Sequence, residues 1–327
     1  MKHGKENGAA LISVLLIFTL ITILASQLIT RSQADIERTY WLTTEAQAYQ
    51  YALGGEMLAR QVLYSKYQVL KSGGLAISPV PELLPPYQPD HGEIAVEIID
   101  LQGLINLNNI KGNTEQRKLL INLFQDQLLK PELLPLLADW VDSDSTPQAG
   151  GGEDFSYLSF EPALRTANRP LSDPSELMVL PNIELEEYEA ISGFLSTLNL
   201  PTALNLNTAP AEVLSLIDTQ LSGEQVANHR ELSPNGFTSV EEFLSSDMAA
   251  GLNLAPSALT VTSGYYGVKI RASINERIVW LYVRLSFDNE TGQITLIDRT
   301  PTQSLNLNTL SLEAMETTDS DQDDGSI

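Results

Sequence analysis

Between Ala9 and Thr30 the chain carries no charged residue, and the stretch Ala9–Ala25 is apolar almost throughout. At 1.5 Å of rise per residue, about 20 such residues cross the hydrocarbon core of a bilayer. Lys2 and Lys5 precede the run, a charge bias that keeps the N-terminus cytoplasmic and sends the remainder across. A cleaved signal peptide ending at Ala25 is the alternative reading. Against it, the apolar run is longer than a signal core. Apolar and small residues also keep recurring at helical spacing through Ile29, Ile36, Tyr40, Leu42, Ala46, Tyr49, Leu53, Met57 and Val62. No proline occurs before Pro79, and Gly54 and Gly55 are the only glycines between Ala9 and Arg60. The expectation is one helix, in the membrane over 9–31 and beyond it over 32–71.

Charge and composition narrow what the rest can do. The 327 residues include 42 acidic and 19 basic side chains, a formal charge of −23. Such a surface repels phosphate, which disfavours nonspecific nucleic-acid binding and polybasic recognition of anionic lipid. Divalent cations are what it attracts. The chain has no cysteine and 3 histidines, His3, His91 and His229, so thiol chemistry is excluded and histidine-rich metal or triad sites have little to draw on. Ser65 and Ser143 have no evident activating partner, no Gly-rich phosphate loop is present, and no enzyme is expected.

Beyond the helix, Ser72-Gly-Gly74 and five prolines from Pro79 to Pro89 read as a linker over 72–92. Residues 93–103 open with the alternating strand Glu93–Asp100. Residues 104–258 read as helix-rich, with helices expected at Glu115–Leu129 and Leu185–Leu198 and a capped start at Asp173-Pro174-Ser175-Glu176. Over 259–300 the segments Leu259–Thr262, Tyr265–Ile274, Arg277–Phe287 and Ile294–Asp298 are β-branched and aromatic, as an antiparallel meander requires. The expected fold is α+β: the N-terminal helix packed on a small antiparallel sheet, with a large helical domain inserted between strands. The segment 301–327 ends in an acidic stretch and reads as a disordered tail.

Two motifs bear on chemistry. In Asp139-Trp-Val-Asp142-Ser-Asp144-Ser-Thr146-Pro-Gln148-Ala-Gly-Gly-Gly152-Glu153-Asp154, residues Asp142, Asp144, Thr146, Gln148 and Glu153 fall on positions 1, 3, 5, 7 and 12 of a calcium loop, with Gln148 offering its carbonyl. Pro147 replaces the usual glycine at position 6, so an ordinary EF-hand is not indicated. Five carboxylates within sixteen residues repel unless a cation neutralises them; a solvated acidic loop is the competing reading. The second motif, Leu204-Asn-Leu-Asn-Thr-Ala-Pro210 followed by Gln225–Arg230 and Gly236–Leu244, has the form of a helix-hairpin-helix unit, with Asn207 or Thr208 as a helix cap. Its turn Ile217–Gly223 contains an acid and no base, which suits packing better than DNA. Related Leu-Asn-Leu-Asn segments occur at Leu104–Asn108 and Leu305–Thr309. His229, Trp140 and Trp280 read as packing residues.

The segment that ends in Gly8 and passes directly into the apolar helix at Ala9 resembles a type IV prepilin N-terminus. The resemblance implies that a prepilin peptidase cuts after Gly8 and methylates Ala9. Most of that class carry Glu at the fifth mature position, where this chain has Ser13. That Glu neutralises the amine of the subunit ahead in the filament, and a subunit with nothing ahead needs none. With Asp35–Thr39 and Gln47–Glu56, this is similar to the K-type minor pseudopilins of type II secretion systems. The resemblance implies a filament-tip subunit anchored once in the inner membrane, its C-terminal domain periplasmic, supporting export from that compartment. Its implied partners are I-type and J-type minor pseudopilins and other pseudopilins, with no nucleic acid. The Asp139–Asp154 loop is similar to one that binds structural Ca2+ in that family, where Asp139 and Asp154 orient the loop or complete the shell. The competing function is a membrane-anchored DNA-uptake protein or a minor type IV pilin.

Overall fold

The computed structural model describes residues 6–71, 82–125, 129–233 and 236–302. Helix α1 (Glu6–Lys71) is continuous over 66 residues. Its buried stripe is Thr44, Ala48, Ala52, Gly55, Glu56, Ala59, Leu63 and Tyr67, a spacing of three or four that lines one face. This is not the apolar series the sequence pointed to: Ile36, Tyr40, Leu42 and Met57 are exposed, as is Ala46. The reason is distance. The helix approaches the sheet so closely that a Cβ on Gly55 would lie 2.8 Å from Ile270 Cγ2, so the inward positions around it are largely the small Ala48, Ala52 and Ala59, while the bulkier Leu63 and Tyr67 turn inward further along the helix.

The sheet is antiparallel, in the order β1 (Glu82–Leu83), β2 (Gly92–Asp100), β7 (Tyr265–Ile274), β8 (Arg277–Phe287) and β9 (Ile294–Thr302). Asn275, at φ 52, turns β7 into β8, a left-handed position asparagine tolerates. Alternate residues of the long strands, among them Ile94, Val96, Ile98, Val268, Ile270, Leu281 and Val283, form one core with Ala52, Ala59 and Leu63 of α1. Within it Glu56 is buried and held by Arg299 at 2.5 Å and by Arg60 at 2.7 Å. Burial pushes the Glu56 carboxyl up, but hydrogen bonds from Arg299 and Arg60 and their charges outweigh it, leaving the group below its ordinary value. Trp280 is not core: it is half-buried, with Arg271 6.0 Å from its ring. Of the expected linker, 72–81 lies outside the described residues, while Glu82–Leu83 and Tyr87 pair along β2. The leader residues 1–5, with His3, and the tail from 303 onward lie outside them as well.

The chain leaves the sheet after β2 and returns at β7, the strand paired beside it, so everything between is an excursion inserted between two neighbouring inner strands. The excursion holds a second, larger core built on short elements: α2 (Thr114–Gln125), α3 (Leu133–Val141), α4 (Asp154–Tyr157), α5 (Leu185–Ser192), α6 (Ala211–Ser215), α7 (Gly223–Leu232) and α8 (Val240–Leu244). The expected helix Leu185–Leu198 ends at Ser192 because Leu195–Ser196 becomes strand β4, paired in parallel with β3 (Ile105–Asn106). Likewise β5 (Leu204–Asn205) pairs in parallel with β6 (Leu259–Thr260).

These two pairs open matching units. Asn108 accepts from Leu171 N at 2.8 Å and donates to the carbonyls of Leu171 and Leu198. Asn207 accepts from Phe237 N at 2.8 Å and donates to the carbonyls of Phe237 and Val261. Each amide thus clasps both polar groups of one distant residue, in a core where unpaired backbone groups are costly. Asn207 and Thr208 therefore do not cap α6; Pro210 precedes that helix without a side-chain cap. Both crossings between sheet and excursion meet at Asp100, which is buried and accepts from Gln102 N, Asn205, Thr208 and Ser263. Burial pushes its carboxyl up despite these bonds.

Candidate metal centre

Helix α3 is apolar on nearly every side and ends by delivering two acids. Asp139 is fully buried on its last turn, and Asp142 terminates it, donating its N–H to Ala138 O at 3.0 Å. The chain then loops and re-enters at α4, which Glu153 precedes. This brings carboxylate oxygens of Asp142, Asp144 and Glu153 within 4.8 Å of one another. In two of these residues one carboxylate oxygen, Asp142 Oδ1 and Glu153 Oε1, is buried with no hydrogen-bond partner. Buried acceptor oxygens without a donor, in neighbouring carboxylates, are what a hard cation satisfies.

The remaining acids do other work. Asp139 does not join the cluster; it accepts from Gln148 N at 3.0 Å and fixes the far side of the loop. A Cβ on Gly151 would fall 2.0 Å from Asp139 Oδ2, which is why glycine occupies that position. Gly150, at φ 82, turns the chain in the left-handed region where position 6 of an ordinary loop would have done so. Asp154 is turned away to Thr166 N at 3.0 Å and Arg165 at 3.1 Å. Thr146 is exposed and donates its N–H to Asp144. The Gln148 carbonyl accepts from Gly151 N.

Burial raises the pKa of Asp139, with repulsion from Asp142 and Asp144 adding to it against the Gln148 bond. Burial likewise raises Glu153, against a bond from Thr166, with repulsion from Asp139, Asp142 and Asp144. Tyr157, buried beside them and edge-on to Trp140 at 5.1 Å, is pushed up to about 12 by burial and then by the charges of Asp139 and Glu153. The sequence pointed to the loop but not to the strap that backs it. Arg165 and Thr166 hold Asp154 and Glu153, and Asn168 donates its N–H to Trp140 O. Asn168 takes φ 46, a left-handed position asparagine tolerates, and its buried Oδ1 has no partner; no residue spacing in the sequence announces this strap.

The hairpin unit offers no comparable opening. The turn amides of Gln220, Leu221 and Gly223 bond to Asp218 Oδ1, Asp218 O and Ser215 Oγ. Helix α2 covers the turn: Asn122 donates to Leu216 O at 2.8 Å, and Lys118 reaches Asp218 at 3.9 Å. Phosphate would find these amides engaged. His229 stacks on Phe237, and Arg230 donates to the carbonyls of Leu206 and Ala209. Ser65 bonds to its own helix at Val62 O.

Comparison with known proteins gives a consistent picture. The family model described as Type II secretion system (T2SS), protein K, matches residues 103–200. Type II secretion system protein K of Pseudomonas aeruginosa is 33% identical over 296 residues, covering 85% of this chain and 87% of that protein. The protein K of Klebsiella pneumoniae is 32% identical over 268 residues, 75% of this chain and 80% of its own length. Among solved structures, a chain of the GspK-GspI-GspJ complex from enterotoxigenic Escherichia coli superposes with a TM-score of 0.67 at 22% identity, covering 82% of this chain and all of that one. That likeness speaks for the fold.

Proposed function

Because the chain belongs to the type II secretion system protein K family, the minor pseudopilins, we propose that it caps the tip of a secretion pseudopilus together with I-type and J-type minor pseudopilins. The observation that carries this reading is α1. Every side chain from Leu11 to Tyr40 is exposed, and the helix is long and apolar enough to cross a membrane. Only lipid or neighbouring helices can cover such a surface in water. The likeness to a chain of a GspK-GspI-GspJ complex supports the choice of neighbours. Lys2 and Lys5 set the N-terminus in the cytoplasm and the head in the periplasm. Peptidase cleavage after Gly8 leaves Ala9 as a methylated N-terminus, and Ser13 suits a subunit with none ahead of it. The role is structural rather than enzymatic.

The acidic loop is part of the same reading. Asp142, Asp144 and Glu153 hold Ca2+, while Asp139 and Asp154 orient the loop from outside the ion's contact shell. What supports this is the pair of buried oxygens without donors. Elemental analysis should find bound calcium, lost on Asp142→Ala.

The assembly is tested by co-expressing the full chain with I-type and J-type pseudopilins and prepilin peptidase, then purifying through the chain. Both partners should co-purify, and intact mass should place the N-terminus at methylated Ala9. A chain that purifies alone ends the tip reading; a start near Ser26 would restore the signal peptide.

A further inference from the structure

The two clasped units differ in how far the chain travels to reach its clasp. In the second, α7 ends at Leu232 and Asn207 closes on Phe237, so residues 233–236 make the connection. In the first, α3 ends at Val141 and Asn108 closes on Leu171, so residues 142–170 make it. The clasped turns themselves are alike. Leu171-Ser-Asp-Pro-Ser-Glu-Leu177 and Phe237-Thr-Ser-Val-Glu-Glu-Phe243 share their pattern, with Glu176 accepting from Ser172 N and Glu242 from Thr238 N, both at 2.7 Å. One kind of target is thus reached by a short path and by a far longer one, and a longer connection costs more entropy to order. Packing does little to offset that cost. Tyr157 of the long connection joins the excursion core, while Phe155, Leu158 and Leu164 are exposed.

The long connection is built to be tied back on itself twice. Its first part runs from Asp142 through Asp144 to Glu153, whose carboxylate oxygens approach within 4.8 Å. Without an ion these three repel, and Asp142 Oδ1 and Glu153 Oε1 stay buried without a donor. Its second part runs from Asp154 to Thr166. Asp154 accepts from Thr166 N at 3.0 Å, from Thr166 Oγ1 at 2.9 Å and from Arg165 at 3.1 Å. With both parts tied, the free path is 167–170, as long as 233–236 in the second unit. Asn168 donates its N–H to Trp140 O at 3.0 Å, which lays that path beside the last turn of α3.

We propose that the calcium site is a length clip that closes the first clasp. Asp142 and Asp144, joined to Glu153 through the ion, act in series with the Asp154–Thr166 tie. Together they shorten 142–170 to the span of the second unit and so deliver Leu171 to Asn108. Asp154 and Thr166 are positioning residues: they act through the connection and not on the ion. The clasped turn leads on to the sheet, because Thr197 Oγ1 donates to Ser172 O at 2.9 Å and Arg284 of β8 donates to Thr197 O at 2.8 Å. Closing the clasp therefore bears on how the excursion is braced against β8.

The inference rests on calcium binding by Asp142, Asp144 and Glu153, and its test separates the two. Calorimetry on the full chain in detergent reads binding of the ion itself. Hydrogen exchange resolved to single residues, with calcium at saturation or with chelator, reads the clasps. Calcium should slow the Leu171 amide, which Asn108 holds, about tenfold or more beyond any slowing of the Phe237 amide, which Asn207 holds. That comparison needs no substitution. Asp142→Ala should abolish the difference together with binding. Asp154→Ala should abolish it while calcium still binds, an outcome that general stabilisation by the ion would not produce. Equal slowing of the two amides, no slowing of Leu171 with calcium bound, or a difference that survives Asp154→Ala would each overturn the clip and leave the metal site standing. If calorimetry finds no calcium bound, the metal reading falls and the clip with it.

Discussion

The two cores of this molecule are built on different grammars. The helix and sheet core is held by repetition: alternate strand residues facing a stripe of alanine and glycine on α1. The excursion core is larger, yet its helices are short and its strand pairs last two residues each. Its order comes from single polar side chains that close distant backbone, Asn108 and Asn207 above all. Where elements are long, apolar packing specifies them. Where they are short, hydrogen-bond satisfaction has to.

The difference can be broken at chosen points. Asn108→Ala strands three buried backbone groups and should cost about 3–5 kcal/mol. Hydrogen exchange should show the excursion opening while amides of β7 and β8 stay protected. Equal loss of protection in both regions would mean that they fold as one unit. Gly55→Leu attacks the other core by overpacking it against Ile270, at about 2–3 kcal/mol, with β7 and α1 losing protection first. Calcium at a hundredfold excess over its Kd should add about 2.7 kcal/mol to the excursion alone, and nothing to Asp142→Ala.

Protons should separate the regions most gently, and with opposite sign. Without calcium, the raised pKa values of Asp139 and Glu153 mean the folded chain holds protons that the unfolded chain has released. Stability of the excursion therefore falls as pH rises from the ordinary carboxylate range through those raised values. Glu56 is lowered, so its contribution is present above the ordinary glutamate value and is lost as pH falls through the lowered one. Thermal unfolding across mild acid, followed by reporters in each region, should show the two slopes crossing. Calcium should abolish only the first.

Legibility in the sequence follows the same division. Strands Tyr265–Ile274 and Arg277–Phe287 have the bounds their alternation predicts, and α1 is continuous as the missing prolines predict. The face of α1 was not legible, because closeness of approach rather than hydrophobicity chose its inner residues. The Leu185–Leu198 helix was overextended, since nothing local announces that Leu195 pairs with Ile105, ninety positions earlier. At the acidic loop, Asp142, Asp144 and Glu153 stood out by spacing. The diversion of Asp154 depends on Arg165 and Thr166, which no spacing rule connects to it.

Asp100 gives the molecule a mechanical character. A helix of 66 residues is a strut about 100 Å long. Force applied at its membrane end enters the sheet along Thr44–Tyr67, where side chains interlock over several turns. From the sheet to the excursion there are two covalent crossings, one following Asp100 and one at Ser263, and a single carboxylate binds both. Load travelling from membrane to head is thus gathered from a broad weld into two adjoining crossings tied at Asp100 and braced to one side where Arg284 of β8 donates to Thr197 O.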